Sequence, residues 1–314
     1  MSVANAGNDH RLGALEAPPA IVSMFIGDEL EEILEAIENG STYVKRERSI
    51  METGVHSLPN FTKDTTDRNR TSPFAFTGNK FEFRMLGSTF SVAGPNITLN
   101  TMVAEELEQF AEELEKADDF EKALNELIKR TIKEHKRIIF NGNNYSEEWV
   151  KEAEKRGLLN LKTTPEALPY FVHEKNLRLF AKHGIFTEAE IRSRCDIMLE
   201  NYSKVINIEA LTMIDMARKD IMPAVMAYTK ELAQTAAAKK ALSKDIHCEA
   251  EQELVTKLSA LCTCLYKKTD ELERALIGVK EYSTADAVAM YYKDNVLTVM
   301  QEMRAVADEM ETLV

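Results

Sequence analysis

The sequence has no apolar stretch long enough to cross a bilayer, which argues against a membrane-spanning helical protein. Its start has no basic residues followed by a long apolar run, so no secretory signal is read there. Cysteine is scarce, at four in 314 residues, which points away from a disulfide framework and towards a reducing, cytoplasmic setting. Basic charge is in deficit. Lys and Arg number 39 against 52 Asp and Glu, leaving a net charge of −13, so no nucleic-acid partner is expected. Glycine and proline run short along most of the chain, since eight of the 12 glycines and five of the 8 prolines precede residue 96. What remains is ordinary. With 44% hydrophobic and 29% charged residues, the chain can bury a sizeable core as one large or two modest domains.

The uneven glycine and proline content divides the sequence into two textures. Dense turn residues mark strands and loops, and long stretches without them mark helices. The expected fold is α/β up to about residue 100, followed by a mostly α remainder. Val103, Leu107, Phe110 and Leu114 recur as on one helix face, with Phe120, Leu124, Leu127 and Ile128 as the next apolar set before Gly142. Ser146 is placed to cap a helix ended by Gly157, and Thr164-Pro165 to open another. Thr187 and Glu190 form a capping pair for a long helix from about Ile191 to Ala238, which Pro223 should kink. Two further helices, about 243–279 and 283–312, suggest an antiparallel hairpin, the second opened by Ser283 and Asp286.

The first hundred residues carry the candidate chemistry. In Lys80-Phe81-Glu82-Phe83-Arg84-Met85 polar and apolar residues alternate, so a strand there would put Glu82 between Lys80 and Arg84 on one surface. A solvated strand face with paired charges would read the same way. Asp67-Arg68-Asn69-Arg70-Thr71 sets two guanidinium groups in a polar loop, suited to carboxylates or phosphates. Asn8-Asp9-His10-Arg11-Leu12-Gly13, followed by Glu16-Ala17-Pro18-Pro19, reads as a shaped loop, either a lid or a plain turn. His10 lies beside it, as a substrate contact or a loop-shaping residue. His247-Cys248 with Cys262 and Cys264 is read as helical thiols, because residues two apart point to different sides of a helix. Met213, Met216, Met222 and Met226 read as helix packing, and the acidic run from Glu105 to Glu115 as a solvated face.

Taken together, three segments resemble glutamine synthetase, and its type III branch in particular. They are Asn8 to Gly13 with Glu16 to Pro19, Arg68-Asn69-Arg70-Thr71-Ser72-Pro73-Phe74, and Gly78-Asn79-Lys80-Phe81-Glu82-Phe83-Arg84 with Pro95-Asn96 after it. The helical remainder, including Asn144-Tyr145-Ser146-Glu147-Glu148-Trp149, is similar to that branch's C-terminal extension. The resemblance implies residues 1–115 as the C-terminal portion of a catalytic domain and 116–314 as a helical domain. It implies ATP-dependent ligation of ammonia to glutamate through γ-glutamyl phosphate, with magnesium, or alternatively manganese, and a dodecameric homo-oligomer. Glu82 would then bind a metal ion, Arg84 and Arg11 the substrate, and Lys80 the nucleotide. Arg70 would steady the transferring phosphoryl group, and Glu16 would attract ammonium and cover the site.

The family's paired Glu-x-Glu metal strand, its upstream metal histidine and its N-terminal β-grasp domain have no counterpart in this sequence. A truncated gene, a split gene or a late start codon would each account for that, and the chain alone is expected to be inactive. The alternative from a different class is a non-catalytic helical protein that assembles with, or regulates, an intact synthetase.

Overall fold

The computed structural model describes residues 7–14, 17–44, 50–51, 61–62 and 69–314. Two compact units divide at Arg192 and Ser193. Among the described residues, no helix is long and apolar enough to cross a membrane.

The first unit holds all the described strands. β1 (Met24–Phe25) pairs in parallel with β4 (Phe74–Phe76), which pairs antiparallel with β5 (Phe81–Phe83). β2 (Ile50–Met51) and β3 (Phe61–Thr62) form a separate antiparallel pair. On the other side of β1, Met24 bridges Ile139, and the Phe140 amide donates to the Met24 carbonyl over 2.9 Å. β4 and β5 make a hairpin whose turn places Gly78 at φ +96°, where a side chain would be strained. Phe74, Phe76 and Phe81 pack ring to ring along it, at centroid distances of 5.3 and 5.1 Å.

Helices α1 (Asp28–Asn39), α2 (Ala93–Leu114), α3 (Phe120–His135), α4 (Glu147–Lys155), α5 (Thr164–Phe171) and α6 (Glu174–Lys182) complete this unit. This unit contains two small apolar clusters. Leu12, Ala17, Met85 and Ala167 form one, and Ile21, Trp149 and Ala153 the other. The Trp149 indole stacks on Phe140 at 3.8 Å, with the Arg156 guanidinium over the indole at 5.5 Å. Ser146 caps α4 as expected, its hydroxyl accepting from the Trp149 amide, and Gly157 ends it in the left-handed conformation.

α2 departs from its expected form. It starts ten residues before Val103, and Val103 and Leu107 are 55% and 61% exposed. The buried side of this helix carries Pro95 and Thr101, and Glu105 is half-buried. Phe110 and Leu114, the other two residues of the expected face, are half-buried, and Glu105 makes polar contacts to Lys182 and His183 at the end of α6. Phe120 is likewise exposed, and α3 ends at His135, well before Gly142, in a single tight turn over Lys136–Ile138. Asp119 caps α3 and Thr163 precedes α5, so Pro165 is its second residue.

α7 (Glu188–Met216) crosses the boundary between the units and opens with the Thr187–Glu190 capping pair. The second unit consists of the rest of α7, α8 (Met222–Leu242), α9 (Glu249–Gly278), α10 (Ala285–Tyr291) and α11 (Leu297–Glu311). Between α7 and α8, Ala217–Ile221 forms a π-helical turn. Pro223 follows in the first turn of α8, so the wide turn absorbs the missing amide donor without breaking the rod. A second π-turn, Tyr292–Val296, joins α10 to α11. The cap of α10 is Thr284 and not Ser283, with the Thr284 hydroxyl accepting from the Ala287 amide.

The buried stripe of α9 is Leu258, Cys262, Leu265, Thr269 and Leu272, alternating steps of four and three. That spacing is the seam of helices packed nearly antiparallel or parallel. Ion pairs fix the sense. Arg218 meets Asp270 and Glu273, while Lys239 meets Glu251, so α8 runs antiparallel to α9. Lys257 pairs with Glu309 and Lys268 with Glu302, so α9 and α11 are antiparallel, as the expected hairpin requires. Cys195, Cys248 and Cys262 are buried and Cys264 is half-buried, all as free thiols, and burial raises the Cys262 thiol above its ordinary value.

Candidate active site

β5 presents the charged triplet that its alternation implies. Lys80, Glu82 and Arg84 share one side, while the apolar series runs from exposed Phe81 to fully buried Met85. The Glu82 carboxylate, 36% exposed, accepts from Arg84 Nε over 3.1 Å and Nη2 over 2.8 Å. Lys80 Nζ stands 3.6 Å from its other oxygen. The Arg84 hydrogen bonds chiefly hold the Glu82 carboxyl below the usual range; desolvation opposes them, and the charges of Arg84 and Lys80 add smaller downward effects.

The Arg84 guanidinium also joins the strand to the arginine loop, with Nη1 donating to the Asn69 carbonyl over 3.0 Å. Asn69 holds a left-handed backbone at φ +26°. Its side chain anchors that conformation, the amide nitrogen donating to the carbonyls of Asn141 and Gly142, and the amide oxygen accepting from the amide and hydroxyl of Thr71. Arg70 is the next residue and is exposed. Strand β5 and the Arg70 loop are therefore neighbours, although 12 residues separate Arg70 from Glu82.

Arg11 reaches the continuation of the same strand. Asn8 clamps it there, donating to the Met85 carbonyl over 3.0 Å and accepting from the Gly87 amide over 3.1 Å. Arg11 Nη2 lies 3.5 Å from the Leu86 carbonyl, and its Nη1 is buried with no acceptor among the described residues. A buried guanidinium nitrogen without an acceptor is costly and suits an anionic ligand. Gly13 turns back to accept the chain, its amide donating to the carbonyls of Ala17 and Pro18. Glu16 lies outside the described residues, as does Arg68. His10 is exposed.

Sequence reasoning missed the asparagines that hold this arrangement. Asn141 Oδ1 accepts from the amides of Ile26 and Gly27 after β1, and its amide nitrogen donates to Glu31 on α1. Asn144 is fully buried, accepting from the Ser23 hydroxyl over 2.7 Å, while its backbone amide donates to Thr71. The signal was the density of amides in Asn141-Gly142-Asn143-Asn144, which exceeds what a solvated turn needs.

Glu82 supplies one hard-oxygen ligand, the kind a magnesium ion takes. Among the described residues, the one grouping of three or more candidate metal ligands is elsewhere, at Glu105, Glu108 and His183. The described residues therefore fit one metal contact at Glu82, not a complete metal site.

The family of glutamine synthetase C-terminal domains matches residues 123–240. The whole chain is 44% identical over 320 residues to "Glutamine synthetase" of Butyrivibrio fibrisolvens, covering 45% of that protein. It is 38% identical over 323 residues to "Type-3 glutamine synthetase" of Dictyostelium discoideum, covering 44% of that protein. It is 33% identical over 321 residues to "Glutamine synthetase" of Bacteroides fragilis, again covering 44%. The chain thus spans somewhat under half the length of the curated relatives it matches. Similarity that runs from one end of this chain to the other, in relatives of three organisms and with a type-3 member among them, assigns the chain to the glutamine synthetase family.

Proposed function

We propose that this chain supplies the C-terminal part of the catalytic domain, over residues 1–115, and the helical C-terminal domain, over 116–314, of a glutamate–ammonia ligase. On this reading the reaction joins ammonia to glutamate through γ-glutamyl phosphate, with ATP as phosphoryl donor. The observation that carries it is the side-by-side placement of Lys80, Glu82 and Arg84 on β5, tied through Arg84 to the loop that bears Arg70.

Each described side chain has work that its position suits. Glu82 is ionised by its neighbours and offers a divalent cation an oxygen ligand. A bound magnesium ion would supply charge neutralisation on the phosphates. Arg84 is oriented before any ligand arrives, because Glu82 and the Asn69 carbonyl hold its guanidinium from two sides. A prepositioned guanidinium binds the glutamate substrate or its γ-phosphate without reorganising, which is where electrostatic catalysis gains most. Arg70 is set by the left-handed turn at Asn69 to steady charge on the transferring group. Arg11 binds a carboxylate with the nitrogen that has no acceptor among the described residues. Lys80 is the nucleotide-side cation, and Glu16 covers the site and takes the ammonium proton.

One carboxylate does not hold two magnesium ions against water, so catalysis requires ligands from the part of the enzyme that this chain does not match. The test is a chimera in which this chain replaces the matched part of the Butyrivibrio fibrisolvens protein. It is expected to form glutamine from glutamate, ammonia and ATP, while the chain alone does not. In the chimera, Glu82→Ala should lower turnover by about a hundredfold or more. Turnover unchanged by Glu82→Ala would refute this assignment, and an inactive chimera that assembles normally would favour the non-catalytic reading.

A further inference from the structure

We propose that Glu105 and Glu108 of α2 and His183 at the end of α6 form a binding site for one divalent transition-metal ion, with zinc as the best fit, and that Lys182 is a built-in competitor for it. The site shares no residue with the candidate active site, and nothing in the ligase reading requires it.

The donor atoms already converge. His183 Nε2 lies 2.8 Å from Glu105 Oε2 and 3.9 Å from Glu108 Oε2, and all three ligand atoms fall within 4.8 Å of one another. Tetrahedral zinc with oxygen and nitrogen ligands requires donors about 3.3 Å apart, a small adjustment from these distances. Local structure explains the convergence. Glu105 and Glu108 are three residues apart, on one face of α2. His183 follows the last residue of α6, and Gly184, at φ +61°, ends that helix and turns the chain away. Glu105 and His183 side chains are only 19% and 18% exposed, so bulk water does not fully solvate the cluster.

A cation already occupies the middle of the cluster. Lys182 Nζ stands 2.7 Å from Glu105 Oε2 and 2.9 Å from Glu108 Oε2. Two carboxylates against one ammonium leave one net negative charge, and Gln109 adds only a neutral donor to Glu105, over 2.8 Å. An imidazole beside carboxylates selects zinc and its transition-metal neighbours over magnesium and calcium, which favour oxygen alone. Lys182 is 45% exposed on a flexible stem, free to swing into water when a doubly charged ion takes its place. The exposed apolar side of α2 sets this polar face inward, so closing the metal site would also fasten α2 to α6.

The test is calorimetric titration of zinc into the metal-free full chain, with cobalt(II) as the spectroscopic probe. Wild type is expected to take up one zinc ion. His183→Ala should weaken binding more than about tenfold. Lys182→Met keeps all three ligands and removes the competitor, so it should tighten binding and raise the melting temperature gained on adding zinc. Cobalt should give visible d–d bands without thiolate charge-transfer absorption. Absence of stoichiometric zinc binding in both wild type and Lys182→Met would overturn the proposal and leave an ion-pair network only. Affinity unaffected by His183→Ala, or cobalt bound through the cysteines, would do so equally. If His183→Ala fails to fold, the Lys182→Met comparison and the cobalt spectrum decide the matter.

Discussion

Around β1, β4 and β5 the chain is joined by side-chain amides and hydroxyls, whereas from Cys195 onward apolar stripes do most of the joining, with ion pairs between the helices. Asn69, Asn141 and Asn144 each bond to backbone or side-chain groups more than 70 residues away. Their counterparts in the second unit are residues such as Leu258, Leu265 and Leu272, which touch neighbours through dispersion and hydrophobic burial alone. The difference follows from regularity. A helix satisfies its own backbone, so its side chains are left to pack. Two- and three-residue strands linked by irregular loops leave many backbone groups to be satisfied by side chains. That construction fixes loop geometry, which is what the candidate active site needs.

Four measurements would sharpen or break this contrast. The largest effect is expected from Trp149→Ala, which removes the ring stacked on Phe140 and should cost about 3–5 kcal/mol in denaturant unfolding. Leu265→Ala in the second unit should cost about 2–5 kcal/mol, and equal losses by a single cooperative transition would argue against two separately stable units. Next, Asn144→Ala leaves the Ser23 hydroxyl buried without its acceptor and should cost about 1–3 kcal/mol. Amide exchange should quicken around Thr71 and Ile139 while α9 is unaffected. A uniform change over both units would contradict the local role given to the asparagines.

The smallest effect is expected from acid. Glu82 in the first unit and Glu251 and Glu273 in the second are all depressed, chiefly by hydrogen bonds from Arg84, Lys239 and Arg218. A carboxyl depressed by folding contributes stability above its unfolded value, about 4.3 for Glu, and that contribution is lost as pH falls through the folded value. Thermal midpoints should therefore be flat from neutral pH down to about 5 and fall below it, with the fall reduced in high salt. A loss of stability that began near neutrality would point to groups other than these.

Much of this was legible from local pattern. The alternation at Lys80–Met85 foretold which side Glu82 occupies, and the caps at Ser146 and Thr187 needed only neighbouring residues. The face of α2 was not legible, because Glu105 is half-buried through Lys182 and His183, 77 and 78 residues further on. Nor was the role of Asn69, whose left-handed backbone is sustained by carbonyls of Asn141 and Gly142. Apolar periodicity has no access to either, since both arise from polar contacts between distant segments.

The order of residues alone determined the helical character of the later chain, the caps at Ser146 and Thr187, the charged face of β5 and kinship with glutamine synthetases, because each is a matter of neighbours and spacing. Folding alone decided that Arg84 meets the Asn69 carbonyl, that Arg11 carries a buried nitrogen without an acceptor among the described residues, and that two glutamates meet a histidine across α2 and α6. These pairings join positions that chain connectivity leaves independent, and only packing in three dimensions sets the distance between them.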